Sequence, residues 1–185
     1  MNEVEPLCQG LVDQYYLGVL SDADNRVVNF YQNLMVPWGN SYYLENEQLS
    51  LGGKAFDENS AVKKIAMTLD TVVEQRGYAY PDLIKLDVQG AELDIIKGAT
   101  ETLKTCKHLI LELQVVEYNK GAPLHDEVIN YLKTIGFVNS FPPALPLNLI
   151  RRSGCPDKFY VSSISQKELF LKLKIITEHF CSEKS

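Results

Sequence analysis

Two carboxylates stand at the ends of consecutive apolar runs in the middle of the chain. Asp87 follows the run Leu-Ile-Lys-Leu, and Glu112 lies within the run Leu-Ile-Leu-Glu-Leu. Short apolar runs are typical of buried strands, and consecutive strands are usually neighbours in an α/β sheet. Ligands bind outside the carboxyl ends of such strands, so both carboxylates are expected to face one crevice. A helix starting near Ala91 would point its N-terminal amides at the same crevice.

Each charged residue of this stretch also has a purely structural reading. Asp87 could be a turn former or helix cap, Glu92 fits the first turn of a helix, and Lys85 could simply form an ion pair. Glu112 is harder to explain in this way, because apolar residues flank it and a strand carboxylate near a core needs a partner or a function. Asp87 and Glu112 are therefore the leading candidates for chemistry.

Strand and helix patterns alternate in the second part of the chain. Thr68 or Asp70 is the expected N-cap of the first helix, and Gly77 and Gly136 are the expected ends of the first and third helices. The hydrophobic periodicity predicts strands at residues 62–67, 83–88, 108–113, 137–141 and 158–164, and helices at residues 68–77, 91–105, 125–135 and 166–180.

The first part of the chain has a different pattern. Residues 15–33 are predicted to form a β-hairpin around the turn-forming residues 21–25, and residues 34–60 are predicted to form a long, ordered surface loop. The chain as a whole indicates an α/β fold with a mostly parallel sheet and a late antiparallel strand. We expect a single domain over residues 1–185, in which residues 15–60 form the hairpin and loop and residues 61–185 form the alternating part.

Composition excludes several classes of protein. Of 185 residues, 18 are Lys or Arg and 24 are Asp or Glu, which gives a net charge of −6 and no general attraction to nucleic acid or anionic membranes. The four cysteines form no CxxC pair that would suggest a zinc site, and we expect no bound metal. The first residues contain no secretion signal, and no apolar run is long enough to span a membrane. A cytoplasmic protein is expected.

The stretch that contains both carboxylates resembles the hallmark of the FkbM family of methyltransferases. Residues 85–92 fit the family pattern K-[IL]-D-[VI]-[EQ]-G-[AY]-E position by position, and the Lys-Gly-Ala sequence of residues 97–99 and Glu112 follow at the expected distances. Upstream, residues 68–70 resemble the family's T-L-D, and residues 20–22 resemble its L-S-D turn.

This resemblance implies a class I methyltransferase fold, a Rossmann-like sheet of seven strands whose last strand is antiparallel. It also implies methyl transfer from S-adenosylmethionine, usually to a hydroxyl oxygen of a sugar or secondary metabolite, with a base near the acceptor hydroxyl. Asp87 is the first candidate for that base, and Glu112 is the second. The resemblance further places Ser21, Asp22, Asp87 and Gln89 near the cofactor, with Ser21 and Asp22 close to the adenine.

One part of the family pattern is not seen. The 185-residue sequence contains no G-x-G turn, and only about 14 residues precede the predicted hairpin. We therefore expect a truncated sheet whose strand at residues 83–88 has an open edge, covered by residues 15–33, by the long loop or by a second copy of the chain. The missing segment could instead be supplied by another polypeptide.

Two functions follow from different readings of the truncation. In the first, the chain is an enzyme that methylates a small-molecule or glycan hydroxyl, although activity of the isolated chain is in doubt. In the second, it is a non-catalytic binding or scaffold module that keeps part of the methyltransferase fold and uses residues 34–60 for recognition.

Overall fold

The computed structural model describes residues 14–33, 39–49, 56–139 and 147–153, which contain seven strands, four α-helices and one short 3-10 helix. The strands are β1 (Val19–Leu20), β2 (Arg26–Phe30), β3 (Val62–Met67), β4 (Leu83–Leu86), β5 (His108–Glu112), β6 (Phe137–Asn139) and β7 (Leu147–Arg152). The helices are α1 (Leu69–Arg76), α2 (Glu92–Lys97), α3 (Thr102–Thr105) and α4 (His125–Thr134), and the 3-10 helix spans Glu58–Ser60.

The larger sheet has the strand order β4-β5-β7-β6. β4 and β5 are parallel neighbours, with Leu86 beside Leu111, which confirms the pairing predicted for these two apolar runs. β7 lies antiparallel between β5 and β6. It forms from residues 147–152, where the sequence analysis placed no strand. The strand predicted at 158–164 and the helix predicted at 166–180 lie outside the described residues.

The smaller sheet has the order β1-β3-β2, so the predicted hairpin at residues 15–33 is wrong. β3 inserts between the two strands, parallel to β1 and antiparallel to β2. The turn after β1 bonds to the start of α1 instead of closing a hairpin. The Asp24 carboxylate accepts hydrogen bonds of 2.7 Å from the Thr68 N–H and 2.7 Å from the Thr71 hydroxyl. The turn is thus tied to the residues that directly follow β3, and β3 lies between β1 and β2.

The described strands confirm an α/β fold and a late antiparallel strand. Two of the five strand pairings are parallel and three are antiparallel, so the parallel character holds for β1 with β3 and for β4 with β5 rather than for the sheets as a whole. Within the described residues, β4 pairs only with β5. That another segment or chain covers its outer edge stays a prediction.

The helix predicted at residues 91–105 is divided into α2 and α3. Gly98 ends α2 where the helix meets the turn after β1, and the Asp70 carboxylate then caps α3. Its oxygens accept hydrogen bonds of 2.8 Å from the Glu101 N–H and 2.7 Å from the Thr102 N–H, and they hold the pKa of Asp70 below its ordinary value despite partial burial. A side chain from α1 therefore starts a new helix where apolar spacing alone indicates a continuous one.

The other helix ends follow the sequence closely. The Thr68 hydroxyl accepts a hydrogen bond of 3.1 Å from the Thr71 N–H and caps α1, which Gly77 ends in the left-handed conformation at φ 63°. Gly136, at φ 88°, follows the end of α4. Both outcomes confirm the predicted boundaries, because only glycine adopts this backbone conformation without strain.

Besides a small cluster in the smaller sheet (Val19, Val28, Phe30 and Ala66), one large apolar core joins the larger sheet, the helices and Leu20 of β1. Fully burying one of its aliphatic side chains stabilises the fold by about 1.5–3 kcal/mol, so the core holds the carboxyl ends of the strands in fixed positions. Of the residues that the structure describes, none lies in a helix long and apolar enough to cross a membrane. Every element that carries the candidate site contributes to this core, through residues such as Leu20, Val72, Leu86, Ile95, Leu111, Val128 and Phe137.

Candidate functional site

The predicted carboxylate pair lies at one edge of the larger sheet. Asp87 directly follows β4 and Glu112 ends β5, and the parallel register, which sets Leu86 beside Leu111, makes the two carboxyl groups interacting neighbours. Asp87 Oδ2 accepts a hydrogen bond of 2.8 Å from Lys85 Nζ, and its Oδ1 accepts one of 3.2 Å from Gln89 Nε2. Asp87 thus has one ammonium group, one amide and a second carboxyl group as neighbours at this edge of the sheet.

The electrostatics of the pair make Glu112 a stronger base than an ordinary glutamate. Partial burial raises the pKa of the Glu112 carboxyl, and the Asp87 carboxylate raises it further because two neighbouring like charges resist ionising together. The Lys85 ammonium acts in the opposite direction. Solvent still reaches Glu112, which is an exposed residue overall, so its base form is open to a ligand from outside.

The turn between β4 and α2 is held by Glu92. This buried side chain accepts a hydrogen bond of 3.1 Å from the Val88 N–H at one oxygen and 3.0 Å from the Gly90 N–H at the other. Gln89 has φ 52° and Gly90 has φ 100°, so the chain reverses sharply between β4 and α2. The left-handed conformation of Gln89 costs of the order of 1 kcal/mol, and the two hydrogen bonds that Glu92 accepts from the turn offset this cost.

Burial dominates the ionisation of Glu92. It raises the pKa of this carboxyl to about 7, although the bonds from the backbone N–H groups favour the charged form, and the charge of Asp87 adds to the increase. The structural reading of Glu92 as a residue of the first helical turn is therefore correct in position. Its side chain fixes the turn that carries Asp87 and Gln89 rather than contacting the open crevice.

Two further segments pack on this turn. The Ser41 hydroxyl donates a hydrogen bond of 2.9 Å to the Gln89 carbonyl oxygen. On the other side, a Cβ atom built on Gly90 would lie 2.6 Å from Ala122 Cβ and 3.4 Å from Asn119 Cβ, so the loop after β5 reaches over the turn. A side chain at position 90 would collide with this loop, which explains the glycine in addition to its positive φ.

Ser21 and Asp22, which the family resemblance places near the cofactor, belong to a second polar cluster. The Ser21 hydroxyl is completely buried, donates to Asp22 Oδ1 at 3.0 Å and accepts from Arg26 at 3.0 Å. Arg26 pairs with Asp22 at 2.6 Å and with Asp94 of α2 at 3.3 Å. Burial raises the pKa of Asp22, but the bonds from Arg26 and Ser21 outweigh it, so the pKa lies below its ordinary value.

Asp94 is the centre of this second cluster. Its Oδ2 also accepts hydrogen bonds of 3.0 Å from the hydroxyl groups of Tyr42 and Tyr43. Burial and then the charge of Asp94 raise the pKa of both tyrosines, which therefore stay neutral donors. The cluster joins three separate segments of the chain, namely residues 21–26, residues 42–43 and α2.

The structure therefore brings together four of the residues that the sequence singled out, namely Lys85, Asp87, Gln89 and Glu112. Sequence reasoning missed Arg26, Tyr42, Tyr43, Asp94 and Ser41. Asp94 did carry a signal, because it lies between apolar residues of a buried helix, where a carboxylate needs partners for the same reason as Glu112.

One unpaired polar atom lies close to the pair in sequence. Gln114, two residues after Glu112, has a buried side-chain amide nitrogen with no hydrogen-bond partner. Its other amide atom, Oε1, accepts a hydrogen bond of 3.0 Å from the Asn119 N–H. A buried donor without a partner is unfavourable by about 1–3 kcal/mol.

One comparison with known proteins identifies the family of the chain. The family model of the methyltransferase FkbM domain matches residues 8–138, and the chain belongs to this family. No curated protein and no solved structure matches the chain. Across the described residues, no three His, Cys, Asp or Glu side chains are placed to hold a metal ion.

Proposed function

We propose that the crevice of Asp87 and Glu112 is the acceptor side of an S-adenosylmethionine-dependent methyltransferase that methylates a hydroxyl oxygen. The contact between these two carboxylates at the carboxyl ends of parallel strands carries the proposal. S-adenosylmethionine supplies an activated methyl group on a positively charged sulfur. The carboxylate pair has the complementary charge, so the residues present fit the acceptor end of such a site.

Glu112 takes the acceptor proton in this mechanism. As the substrate oxygen forms its bond to the methyl carbon, the methyl–sulfur bond breaks and its electron pair stays on sulfur, while the hydroxyl proton passes to the Glu112 carboxylate. The raised pKa of Glu112 favours it for this role. Asp87 is held in an ion pair with Lys85, and in this mechanism it orients the hydroxyl group of the acceptor. Its negative charge also makes Glu112 a stronger base.

The residues for the donor are a separate part of the proposal. Gln89 lies beside Asp87, and Asp22 keeps a partly exposed carboxylate at the second cluster. Ser21 is buried with its hydroxyl engaged on both sides, so its contribution is to hold Asp22 and Arg26 in place. The sequence contains no G-x-G turn to meet the amino-acid end of the donor.

The test compares variants of the polypeptide preceded by the strand and glycine-rich turn of a family member. Formation of S-adenosylhomocysteine from S-adenosylmethionine is measured with a panel of hydroxyl compounds. Removing a general base typically lowers the rate by about 10²–10⁴-fold, so Glu112→Gln and Asp87→Asn should each lower turnover by at least about 100-fold. Glu74→Gln, an exposed residue of α1, is the matched control and should leave turnover unchanged.

Full activity in Glu112→Gln and Asp87→Asn would contradict the assignment of the base. Absence of turnover in the extended protein, together with measured binding of a hydroxyl ligand, would favour the non-catalytic binding module instead.

A further inference from the structure

Residues 41–46 bond both to the turn that follows Asp87 and to the loop that follows Glu112, and we call this segment the strap. Its first residue, Ser41, is buried and pairs with Tyr31 directly after β2, through backbone hydrogen bonds of 2.8 Å and 3.2 Å. The strap is therefore fixed to the smaller sheet where it begins.

Ser41 holds the turn between β4 and α2 from outside that turn. Its hydroxyl donates a hydrogen bond of 2.9 Å to the Gln89 carbonyl oxygen and accepts one of 3.1 Å from the Tyr43 N–H. Glu92 accepts a hydrogen bond of 3.0 Å from the Gly90 N–H. The peptide group that joins Gln89 to Gly90 is thus held at both ends, and its oxygen bonds to a residue 48 positions away in sequence.

The later residues of the strap hold the loop that follows Glu112. The Tyr43 carbonyl oxygen accepts a hydrogen bond of 3.0 Å from Asn119 Nδ2, and the Leu44 carbonyl oxygen accepts one of 2.8 Å from the Lys120 N–H. One short segment is therefore bonded to the part of the chain that follows each carboxylate of the pair.

The carboxylate pair needs such support, because two neighbouring negative charges repel each other. The Lys85 ammonium group offsets part of the repulsion through its 2.8 Å ion pair with Asp87. Gln89 Nε2 donates a hydrogen bond of 3.2 Å to the other oxygen of Asp87. Because Ser41 holds the backbone of Gln89, the turn connects the strap to the orientation of the Asp87 carboxylate.

We propose that Ser41 is a positioning residue of the candidate site, which holds the turn at Gln89 and so keeps the Asp87 carboxylate next to Glu112. This inference rests on the proposed function for its effect on methyl transfer. The effect of Ser41 on the two carboxylates needs no methyl donor and is measured separately.

Ser41→Ala in the intact 185-residue chain tests the effect on the pair. Without the hydroxyl, the Gln89 carbonyl oxygen loses its donor, and the repulsion should move Asp87 away from Glu112. The pKa of Glu112 should then fall, in the same direction as in Asp87→Asn but by a smaller amount. NMR titration of the Glu112 carboxyl carbon in the folded protein measures the change.

Thr68→Ala is the matched control for a general loss of stability. It also removes a hydroxyl that accepts a backbone hydrogen bond, here of 3.1 Å from the Thr71 N–H at the start of α1, but this hydroxyl does not bond to the turn. The pKa of Glu112 should stay unchanged in Thr68→Ala. Ser41→Cys keeps a weak donor at the same position, so it should give a smaller decrease than Ser41→Ala and provides the measurement if Ser41→Ala does not fold.

Turnover in the protein preceded by a family strand and glycine-rich turn tests the effect on methyl transfer. Misplacement of a reacting group by about 1 Å can lower a rate by about 100-fold, so partial release of the turn should lower kcat by about tenfold in Ser41→Ala. The KM of the acceptor should change little, since no contact with the acceptor is removed.

An unchanged or raised pKa of Glu112 in both Ser41 variants would overturn the positioning role, as would an equal decrease in Thr68→Ala. Turnover that depends on Glu112 but is unaffected by Ser41→Ala would also reject the role of Ser41 and leave the proposed function standing. A lowered pKa in Ser41→Ala, together with no turnover in the extended protein, would support Ser41 as the residue that positions the pair and overturn the proposed function.

Discussion

Gly98 packs directly against the backbone of Ser21, because a Cβ atom built on the glycine would lie 2.2 Å from the Ser21 carbonyl oxygen. This approach joins the end of α2 to the turn after β1. It explains in physical terms why a Lys-Gly-Ala sequence follows the carboxylate turn, since a larger residue would push Ser21 away and disturb the bonds that Ser21 forms with Asp22 and Arg26.

Gly98→Ala should therefore lower the free energy of unfolding by about 1–3 kcal/mol, the usual range for overpacking a site that cannot expand. Denaturant unfolding of both proteins provides the measurement. Gly77→Ala is a useful comparison, since a Cβ there meets no atom within 4 Å and only the φ of 63° opposes it. That conformational term is about 1 kcal/mol. Equal stability of Gly98→Ala and the unchanged protein would mean that the two backbones are further apart than described.

Glu92 should make stability fall as pH rises. Its pKa is about 7 in the folded chain and 4.5, the ordinary value, in the unfolded chain. Between pH 4.5 and pH 7 the folded state therefore holds a proton that the unfolded state has released. The contribution of Glu92 is complete below pH 4.5 and decreases until about pH 7, by roughly 3 kcal/mol.

Glu92→Gln removes this titration and leaves either the Val88 or the Gly90 N–H facing an amide group. The variant should be less stable by about 1–3 kcal/mol at pH 4.5, and the difference from the unchanged protein should narrow towards pH 7. Urea unfolding at several pH values measures both effects. A difference that is constant with pH would show that Glu92 titrates normally.

The contact between Asp87 and Glu112 predicts a coupled change in pKa. Asp87→Asn keeps the size of the side chain but removes its charge, so the pKa of Glu112 should fall towards its ordinary value, and burial should keep it from returning completely. Lys85→Met should act in the opposite direction and raise the pKa further. NMR titration of the Glu112 carboxyl carbon measures both changes in pKa. An unchanged pKa of Glu112 in both variants would show that the two carboxylates do not interact.

Asp94→Asn tests the second cluster. The carboxylate accepts bonds from Arg26 and from the Tyr42 and Tyr43 hydroxyl groups at one oxygen, so its replacement should destabilise the chain by about 3 kcal/mol and alter the near-ultraviolet signal of the tyrosines. Asp126→Asn, with a side chain that is 95% exposed, is the control and should change stability by less than about 0.5 kcal/mol. Similar stability of the two variants would contradict the cluster.

Local signals predicted the core of the candidate site. The apolar runs before Asp87 and Glu112 specify neighbouring strands, and Thr68 and Gly77 mark the ends of α1, because each depends on residues close in sequence. The turn at residues 21–25 was also recognised, but a turn signal does not name the strand that will pair beside it. β3 comes from more than 30 residues further along the chain, while Asp24 of the turn bonds to the start of α1.

The rest of the site depends on contacts between distant segments. Arg26 and Asp94 are 68 residues apart, and neither pattern nor spacing relates them. The break between α2 and α3 has the same origin, since the apolar spacing continues through residues 98–101 and only Ser21 and Asp70 interrupt the helix. Such tertiary effects override local propensity and are invisible in a single sequence.

The central claim is that the chain is part of an S-adenosylmethionine-dependent methyltransferase whose acceptor side contains Asp87 and Glu112, and calorimetry of S-adenosylmethionine binding tests the dependence on this donor most directly. The 185-residue polypeptide is compared with the version preceded by a family strand and glycine-rich turn. Each hydrogen bond to a charged group contributes about 1.5–3 kcal/mol, so two or three such bonds from the added segment should change affinity by about three orders of magnitude. We predict no detectable binding at micromolar concentration for the 185 residues alone and clear binding for the extended protein. Tight binding by the 185 residues alone, or none by either protein, would contradict the account.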